Sequence, residues 1–261
     1  MRLEKGGRNV GKIRKGIFVI ALIVFLGSLG VLVTHFIKGY LEERDFHDLG
    51  KLMSEQKDLV TEKGTVVGKY VDLYKANPDI IGWVKIKGTK IDYPVMQTQD
   101  DPEYYLRRNF AKEDKVSGVP FMDAASDIFK PTSNFMIYGH NMNNGTMFHG
   151  LLDYAKKDFY LEHKTIKFDT IYKGGQGKYK IIAAFYTQIY DKEKEIFKYY
   201  QYPGIEDKAA FVEYVEGVKG LSQYDTGINA KYGDQLITLS TCSYHVEDKK
   251  GRFAVVAKRV E

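Results

Sequence analysis

The feature that most constrains this chain is an apolar run of 22 residues close to its N-terminus. Residues 16–37 read GIFVIALIVFLGSLGVLVTHFI and contain no Asp, Glu, Lys or Arg. As an α-helix rising about 1.5 Å per residue, such a run crosses a hydrocarbon layer of about 30 Å. The sequence therefore predicts one transmembrane helix over residues 16–37.

The charges before this run predict its orientation. One acidic residue, Glu4, and six basic residues precede it; the basic ones are Arg2, Lys5, Arg8, Lys12, Arg14 and Lys15. By the positive-inside rule, this basic tail, residues 1–15, stays in the cytoplasm and the domain after residue 37 is extracellular. A cleaved signal peptide is the alternative, but it has an apolar region of about 7–15 residues followed by a small-x-small cleavage site. The run here ends in THFIK, so an uncleaved, single-pass anchor in the cell membrane is expected.

The formal net charge of the chain is +5, and the basic tail accounts for that excess. Six basic residues less one acidic residue give +5, so the rest of the chain is close to neutral. A neutral domain gives no reason to expect nucleic acid as a partner. Its Asp and Glu residues are scattered, so neither a metal nor a cofactor is predicted.

Residues 38–76 are rich in charge and carry apolar residues at helical spacing. This spacing indicates two amphipathic helices, broken near Gly64. The second helix should end at Asn77-Pro78, because a residue before proline avoids the helical region.

From residue 77 to residue 261 the pattern changes to strands. The strand candidates are 81–86, 91–95, 134–138, 165–172, 178–190, 235–241 and 253–260, and the helical candidates are 101–107, 147–157 and 206–218. Short strands joined mostly by turns predict a mainly β domain over residues 77–261, a closed barrel or sandwich decorated with helices.

The only cysteine of the chain, Cys242, ends one of these predicted strands. A single thiol forms no internal disulfide and no multi-cysteine metal site, so Cys242 is a buried structural cysteine, an incidental thiol or a nucleophile. A cysteine nucleophile needs a base and a group that stabilises the charge on the attacked carbonyl.

Two residues suit those roles. His140 follows the apolar strand 135–138 and the flexible Gly139, which places an imidazole at a strand end. Arg252 opens the last predicted strand, and its guanidinium is always charged and presents several donors. The other histidines lie in membrane, helical or polar contexts: His35, His47, His149, His163 and His245. The residues by themselves leave both the Cys–His pair and the role of Arg252 open.

Taken together, three segments resemble a sortase. These are TLSTC at 238–242, Arg252 ten residues later, and YGHN at 138–141 about a hundred residues before. The flanking sequences NPDIIGW at 77–83, TKIDYPV at 89–95 and GTMF at 145–148 are closer to class B sortases than to other classes. The resemblance covers about residues 40–261.

The resemblance implies an eight-stranded β-barrel with an N-terminal helical pair and a helix between strands six and seven. It implies a membrane-anchored cysteine transpeptidase that cleaves a C-terminal sorting signal of a secreted protein after Thr. Cys242 would form the thioester, Arg252 would stabilise the oxyanion, and His140 would move the proton. The acceptor would be an amine on peptidoglycan or its lipid-linked precursor. Substrate contacts are expected from Ser240, Thr241, Leu106, Tyr190, Ile196 and Phe197.

Three alternative functions remain open for this sequence. A pilin-polymerising or housekeeping sortase would use another amine and is expected to carry an N-terminal lid motif or a further membrane segment. A non-catalytic wall-binding module would tolerate loss of the thiol. Another kind of cysteine enzyme, such as an NlpC-like peptidase or an L,D-transpeptidase, would leave Arg252 without a role.

Overall fold

The computed structural model describes residues 5–130 and 133–261. The predicted basic tail therefore begins outside the described residues. Contacts divide the chain into two units, Met1–Arg44 and Asp45–Glu261. The first helix, α1 (Lys5–Lys51), contributes to both. Within Ile13–Lys51, an 18-residue window has a mean hydropathy of 2.8, so this helix is long and apolar enough to cross a membrane.

The segment before the barrel contains a helical pair, but the second helix is shorter than predicted. Residues 59–66 form a hairpin of two strands, β1 (Leu59–Thr61) and β2 (Gly64–Val66). Thr61 pairs with Gly64 across a two-residue turn, and Gly64 takes a φ of +138°, which glycine adopts without strain. Helix α2 (Val71–Ala76) then follows a short 3-10 turn and ends just before Asn77, as predicted.

Eight strands form a closed barrel in the order β10-β8-β7-β3-β4-β5-β6-β9, which confirms the predicted fold. Their bounds are β3 (Ile80–Lys85), β4 (Asp92–Met96), β5 (Phe121–Met122), β6 (Asn134–Tyr138), β7 (Thr165–Thr170), β8 (Gln176–Gln188), β9 (Leu236–Cys242) and β10 (Gly251–Arg259). The pairs β4–β5 and β6–β9 are parallel and the others are antiparallel. Sequence reasoning missed β5, because two residues are too few to show an alternating pattern.

Two further α-helices lie between the strands, α3 (Lys157–Glu162) and α4 (Lys208–Leu221). Helix α4 begins after Asp207, whose carboxylate accepts the N–H of Ala210 as an N-terminal cap. Since α4 connects β8 to β9, it lies between the sixth and seventh barrel strands, as expected. Three of the remaining helical stretches are 3-10 helices, at Tyr104–Arg107, Phe148–Ala155 and Tyr199–Gln201.

Alternate residues of β9 and β10 belong to two different hydrophobic clusters. Ile237 and Leu239 pack in the main core, together with residues of every long barrel strand. Leu236 and Ala254 pack in a second cluster with residues of α4. Because successive side chains of a strand point to opposite faces, β9 and β10 have an inner face toward the main core and an outer face toward α4.

Candidate active site

Cys242, Arg252 and His140 lie on three neighbouring strands or their direct extensions, because β9 lies between β6 and β10. Arg252 is directly opposite Cys242 in the antiparallel register. On the other side, Tyr138 pairs with Ser240, and the N–H of Gly139 donates to the Ser240 carbonyl at 3.1 Å. His140 therefore comes level with Cys242 at the end of β6. Barrel closure brings together three residues that are far apart in the chain.

The three residues also share the outer face of the barrel. Met136, Leu236, Ala254 and Val256 are all in the cluster with α4. His140 is four residues after Met136, Cys242 is six after Leu236, and Arg252 is two before Ala254. A two-residue period places Cys242 and Arg252 on that same face, and His140, two residues after the end of β6, follows the same period. The Cys242 thiol is free and half-buried.

The ring of His140 is held by a backbone carbonyl. Its Nε2 lies 2.8 Å from the Leu106 oxygen, in the 3-10 helix Tyr104–Arg107. A carbonyl only accepts, so Nε2 carries a proton and donates it. The neutral ring then has its lone pair on Nδ1, which is the nitrogen that can take up and release a proton.

Arg252 is oriented by the loop that joins β9 to β10. Its Nη1 donates to the carbonyls of Gly251 at 2.9 Å and of Lys249 at 3.1 Å. Asp248 and Lys249 both have left-handed backbones, with φ of 58° and 56°. This uncommon conformation turns the Lys249 carbonyl toward the guanidinium. Within the described part of the chain, Nε and Nη2 of Arg252 make no hydrogen bond, so both are available to a substrate oxygen.

Beneath Cys242, two buried tyrosines bond the hydroxyls of β9. The Tyr199 hydroxyl lies 2.6 Å from Ser240 Oγ, and the Tyr214 hydroxyl lies 2.5 Å from Thr238 Oγ1. Burial raises the pKa of Tyr199 to about 12, while the bond to Ser240 and the charge of Arg252 act in the opposite direction. Tyr199 is thus close enough to Arg252 to feel its charge.

Of the predicted substrate contacts, Ser240 and Thr241 are buried. Ser240 bonds Tyr199, and the Thr241 hydroxyl donates to the Gly139 carbonyl at 2.7 Å. Both hydroxyls are therefore engaged within the protein, and their contact with a peptide stays a prediction.

The other four predicted contacts are more accessible. The half-buried Leu106 lies beside His140 through its carbonyl, and Ile196 is 48% exposed. Phe197 packs against Tyr202 and Tyr214, so it lies at the edge of the cluster with α4. The N–H of Tyr190 donates to the Tyr200 hydroxyl at 3.0 Å. Tyr190, Ile196 and Phe197 belong to one short stretch of chain that leads into Tyr199, whose hydroxyl bonds Ser240 two residues before Cys242.

Sequence reasoning missed Asn141 and Tyr199. Asn141 belongs to the YGHN segment of the resemblance, but no role is predicted for it from the sequence, and Tyr199 is one of 20 tyrosines with no local pattern to distinguish it. The amide Nδ2 of Asn141 donates to the Cys242 carbonyl at 3.0 Å, and its Oδ1 lies 2.7 Å from His149 Nδ1.

His245, three residues after Cys242, forms its side-chain hydrogen bond with Ser243: its Nδ1 lies 2.9 Å from Ser243 Oγ. Among the described residues, no group of three or more His, Cys, Asp or Glu could hold a metal ion.

Comparisons with known proteins identify the family and the same fold. The sequence model of the sortase domain matches residues 84–260. The chain is similar to sortase B of Staphylococcus aureus, 29% identical over 94% of this chain and 95% of that protein. It is 31% identical to sortase B of Listeria monocytogenes over 94% of this chain and 96% of that protein. The solved Staphylococcus aureus sortase B–substrate complex superposes with a TM-score of 0.72 and 28% identity, covering 86% of this chain and 99% of that one.

Proposed function

Because the chain belongs to the sortase family of cysteine transpeptidases, we propose that it anchors secreted proteins to the cell wall as a class B enzyme. The substrates would be proteins with a C-terminal sorting signal. The acceptor would be an amine of peptidoglycan or of its lipid-linked precursor. One observation carries the assignment of the site: Arg252 is paired with Cys242 in the barrel register, and His140 is level with both.

In the first half of the reaction, the Cys242 thiolate attacks the Thr carbonyl carbon of the sorting signal. The carbonyl π electrons move to oxygen, and the resulting oxyanion accepts hydrogen bonds from Nε and Nη2 of Arg252. Charged donors placed where negative charge develops lower the barrier more than they stabilise the substrate. When the tetrahedral intermediate collapses, the C–N bond breaks and the departing amine takes the proton of His140 Nδ1.

In the second half, an amine of the cell wall attacks the thioester carbonyl. Neutral His140 removes a proton from the incoming amine at Nδ1, and Arg252 again stabilises the oxyanion. The C–S bond then breaks, which returns Cys242 as a thiolate and His140 as an imidazolium. Since the proton leaves and returns on the same ring, the enzyme regains its starting state after each cycle.

We place this chemistry on the outer side of the cell membrane. The helix that is long and apolar enough to span a membrane follows a basic N-terminal tail. That arrangement favours a cytoplasmic N-terminus. It would hold the catalytic unit outside, where sorting signals and wall amines meet.

The test uses the full chain in detergent with a panel of quenched sorting peptides and wall-type amines. Cleavage and amine transfer should disappear in Cys242→Ala and fall by about 10²-fold or more in His140→Ala and Arg252→Ala. His163→Ala is the matched control, because the His163 ring bonds the Lys87 carbonyl and belongs to no part of this site. The wild-type thioester should appear by mass spectrometry as a peptide adduct on Cys242. Cleavage that survives Cys242→Ala would overturn the proposal.

The same panel separates the alternatives. A pilin-polymerising or housekeeping enzyme would prefer a lysine side chain or a different wall amine. A non-catalytic wall-binding module would bind wall material and form no adduct.

A further inference from the structure

Asn141 connects the loop that carries His140 to the backbone of Cys242. It is the residue after His140, is only 7% exposed, and donates from Nδ2 to the Cys242 carbonyl at 3.0 Å. The two residues are 101 positions apart in the chain. This bond is therefore a direct tie between the two segments that supply the base and the nucleophile.

The hydrogen bond from Asn141 to Cys242 extends the ladder between β6 and β9 with a side-chain donor in place of a backbone donor. The Ser240 carbonyl accepts the backbone N–H of Gly139. Two residues on, a regular parallel ladder would pair the Cys242 carbonyl with the backbone N–H of residue 141. Here the side-chain amide of Asn141 takes the place of that N–H. The backbone of the His140 loop is thus free to leave the strand while the Cys242 carbonyl stays paired.

His149 sets the orientation of the Asn141 amide. Its Nδ1 lies 2.7 Å from Asn141 Oδ1, and because an amide oxygen only accepts, Nδ1 must carry a proton. A flipped amide would place its NH₂ against that N–H and its oxygen against the Cys242 carbonyl. Both contacts would be repulsive, so His149 favours the orientation in which Nδ2 faces Cys242.

The loop between these residues is closed by its own contacts. The N–H of Phe148 donates to the His140 carbonyl at 2.9 Å, and Asn141 pairs with Met147 in an isolated bridge. The N–H of Met147 also donates to the Tyr93 hydroxyl at 3.1 Å. These bonds return the chain to Asn141, so that His149 reaches it from the following helix.

We propose that Asn141 is a positioning residue of the transpeptidase reaction, holding the Cys242 backbone against the His140 loop, and that His149 keeps its amide in the working orientation. This inference rests on the proposed function of Cys242 and His140. Misplacement of a reacting group by about 1 Å can cost about 10²-fold in rate, so a single amide at this point can control activity without touching substrate.

The decisive variant is Asn141→Asp in the full chain. It keeps the size of the side chain and the acceptor for His149, but it places a carboxylate oxygen against the Cys242 carbonyl. We expect kcat/KM for a quenched sorting peptide to fall by about 10²-fold. The added negative charge disfavours the thiolate, so alkylation of Cys242 by iodoacetamide should shift to higher pH. Because Cys242 is the only cysteine, that adduct reports on one site and needs no substrate.

Three further variants complete the test. Asn143→Asp adds the same charge to an exposed position of the same loop and should leave both readouts within about twofold of wild type. His149→Phe should lose activity, and His149→Gln, which restores a donor, should recover most of it. The inference is overturned if Asn141→Asp keeps the wild-type rate and alkylation profile, or if Asn143→Asp reproduces its effects. Loss of activity in Cys242→Ala, measured alongside, tests the proposed function separately.

Discussion

Arg252 lies directly opposite Cys242 across the antiparallel ladder of β9 and β10. Directly opposed residues have Cβ atoms about 4.5–5.5 Å apart and share one face of the sheet. Backbone hydrogen bonds of the barrel thus fix the positions of the Cα and Cβ atoms of the nucleophile and the cation relative to each other. The β9–β10 loop adds the orientation of the guanidinium through the Lys249 carbonyl.

Arg252→Lys should lose activity although it keeps the charge. Lysine has no planar fork of donors, so it cannot hold the loop carbonyls and the oxyanion at once. We expect kcat/KM to fall by about 10²-fold in a peptide-cleavage assay. Arg259→Lys is the matched control on the same strand, since Arg259 bonds the Gln176 carbonyl at the opposite end. Full activity in Arg252→Lys would show that charge alone suffices.

Tyr199→Phe and Tyr214→Phe should separate stability from function. Both tyrosines are fully buried and each bonds a hydroxyl of β9. Each variant should lose about 1–2 kcal/mol of unfolding free energy in urea, because a buried hydroxyl loses its partner. Only Tyr199 bonds a residue two positions before Cys242, so only Tyr199→Phe should also lower kcat/KM. Equal effects of the two variants on activity would contradict a local role for Tyr199.

Gly217→Ala and Gly220→Ala test whether Phe197 contacts the substrate. Both glycines are in α4, but a Cβ at Gly217 would lie 2.6 Å from the Phe197 ring, whereas nothing lies within 4 Å of one at Gly220. Gly220→Ala should raise stability by up to about 1 kcal/mol, since alanine is the better helix former. Gly217→Ala must displace Phe197, so the KM for a sorting peptide should rise. An unchanged KM would remove Phe197 from the predicted substrate contacts.

Alkaline pH should destabilise the protein steeply. Burial raises the pKa of Tyr179 and of Tyr199 to about 12, while an unfolded tyrosine ionises near pH 10. Between these values the folded state keeps protons that the unfolded state has lost. The stability from these two groups is therefore complete below about pH 10 and lost as pH rises to about 12. Between these two pH values, each tyrosine lowers the unfolding free energy by on the order of 1 kcal/mol per pH unit.

Urea unfolding at pH 8, 10 and 11 measures that slope. In Tyr199→Phe the decrease between pH 10 and pH 11 should be shallower than in wild type, because one raised pKa has been removed. An unfolding free energy that stays constant from pH 10 to pH 11 would contradict the assignment.

Local patterns accounted for most of the elements of the fold. The strands at Asn134–Tyr138, Leu236–Cys242 and Gly251–Arg259 have bounds within two residues of the predicted ones. The helix at Lys208–Leu221 begins two residues and ends three residues later than predicted. Their alternation or helical spacing is carried by neighbouring residues and so is readable in the sequence. The hairpin at 59–66 was missed because its strands are three residues long, within a segment whose apolar residues have the spacing of a helix.

The sequence by itself determined the apolar helix of residues 16–37, the periodicity of the strands, and, through its resemblance to a known family, Cys242, His140 and Arg252 as the candidate site. Only the tertiary structure decided what surrounds them: the Leu106 carbonyl on His140 from 34 residues away, and the Asn141 amide on Cys242 from 101 residues away. The physical reason is range. Periodicity arises from adjacent residues, whereas these contacts exist only once the closed barrel has fixed the register of β6, β9 and β10.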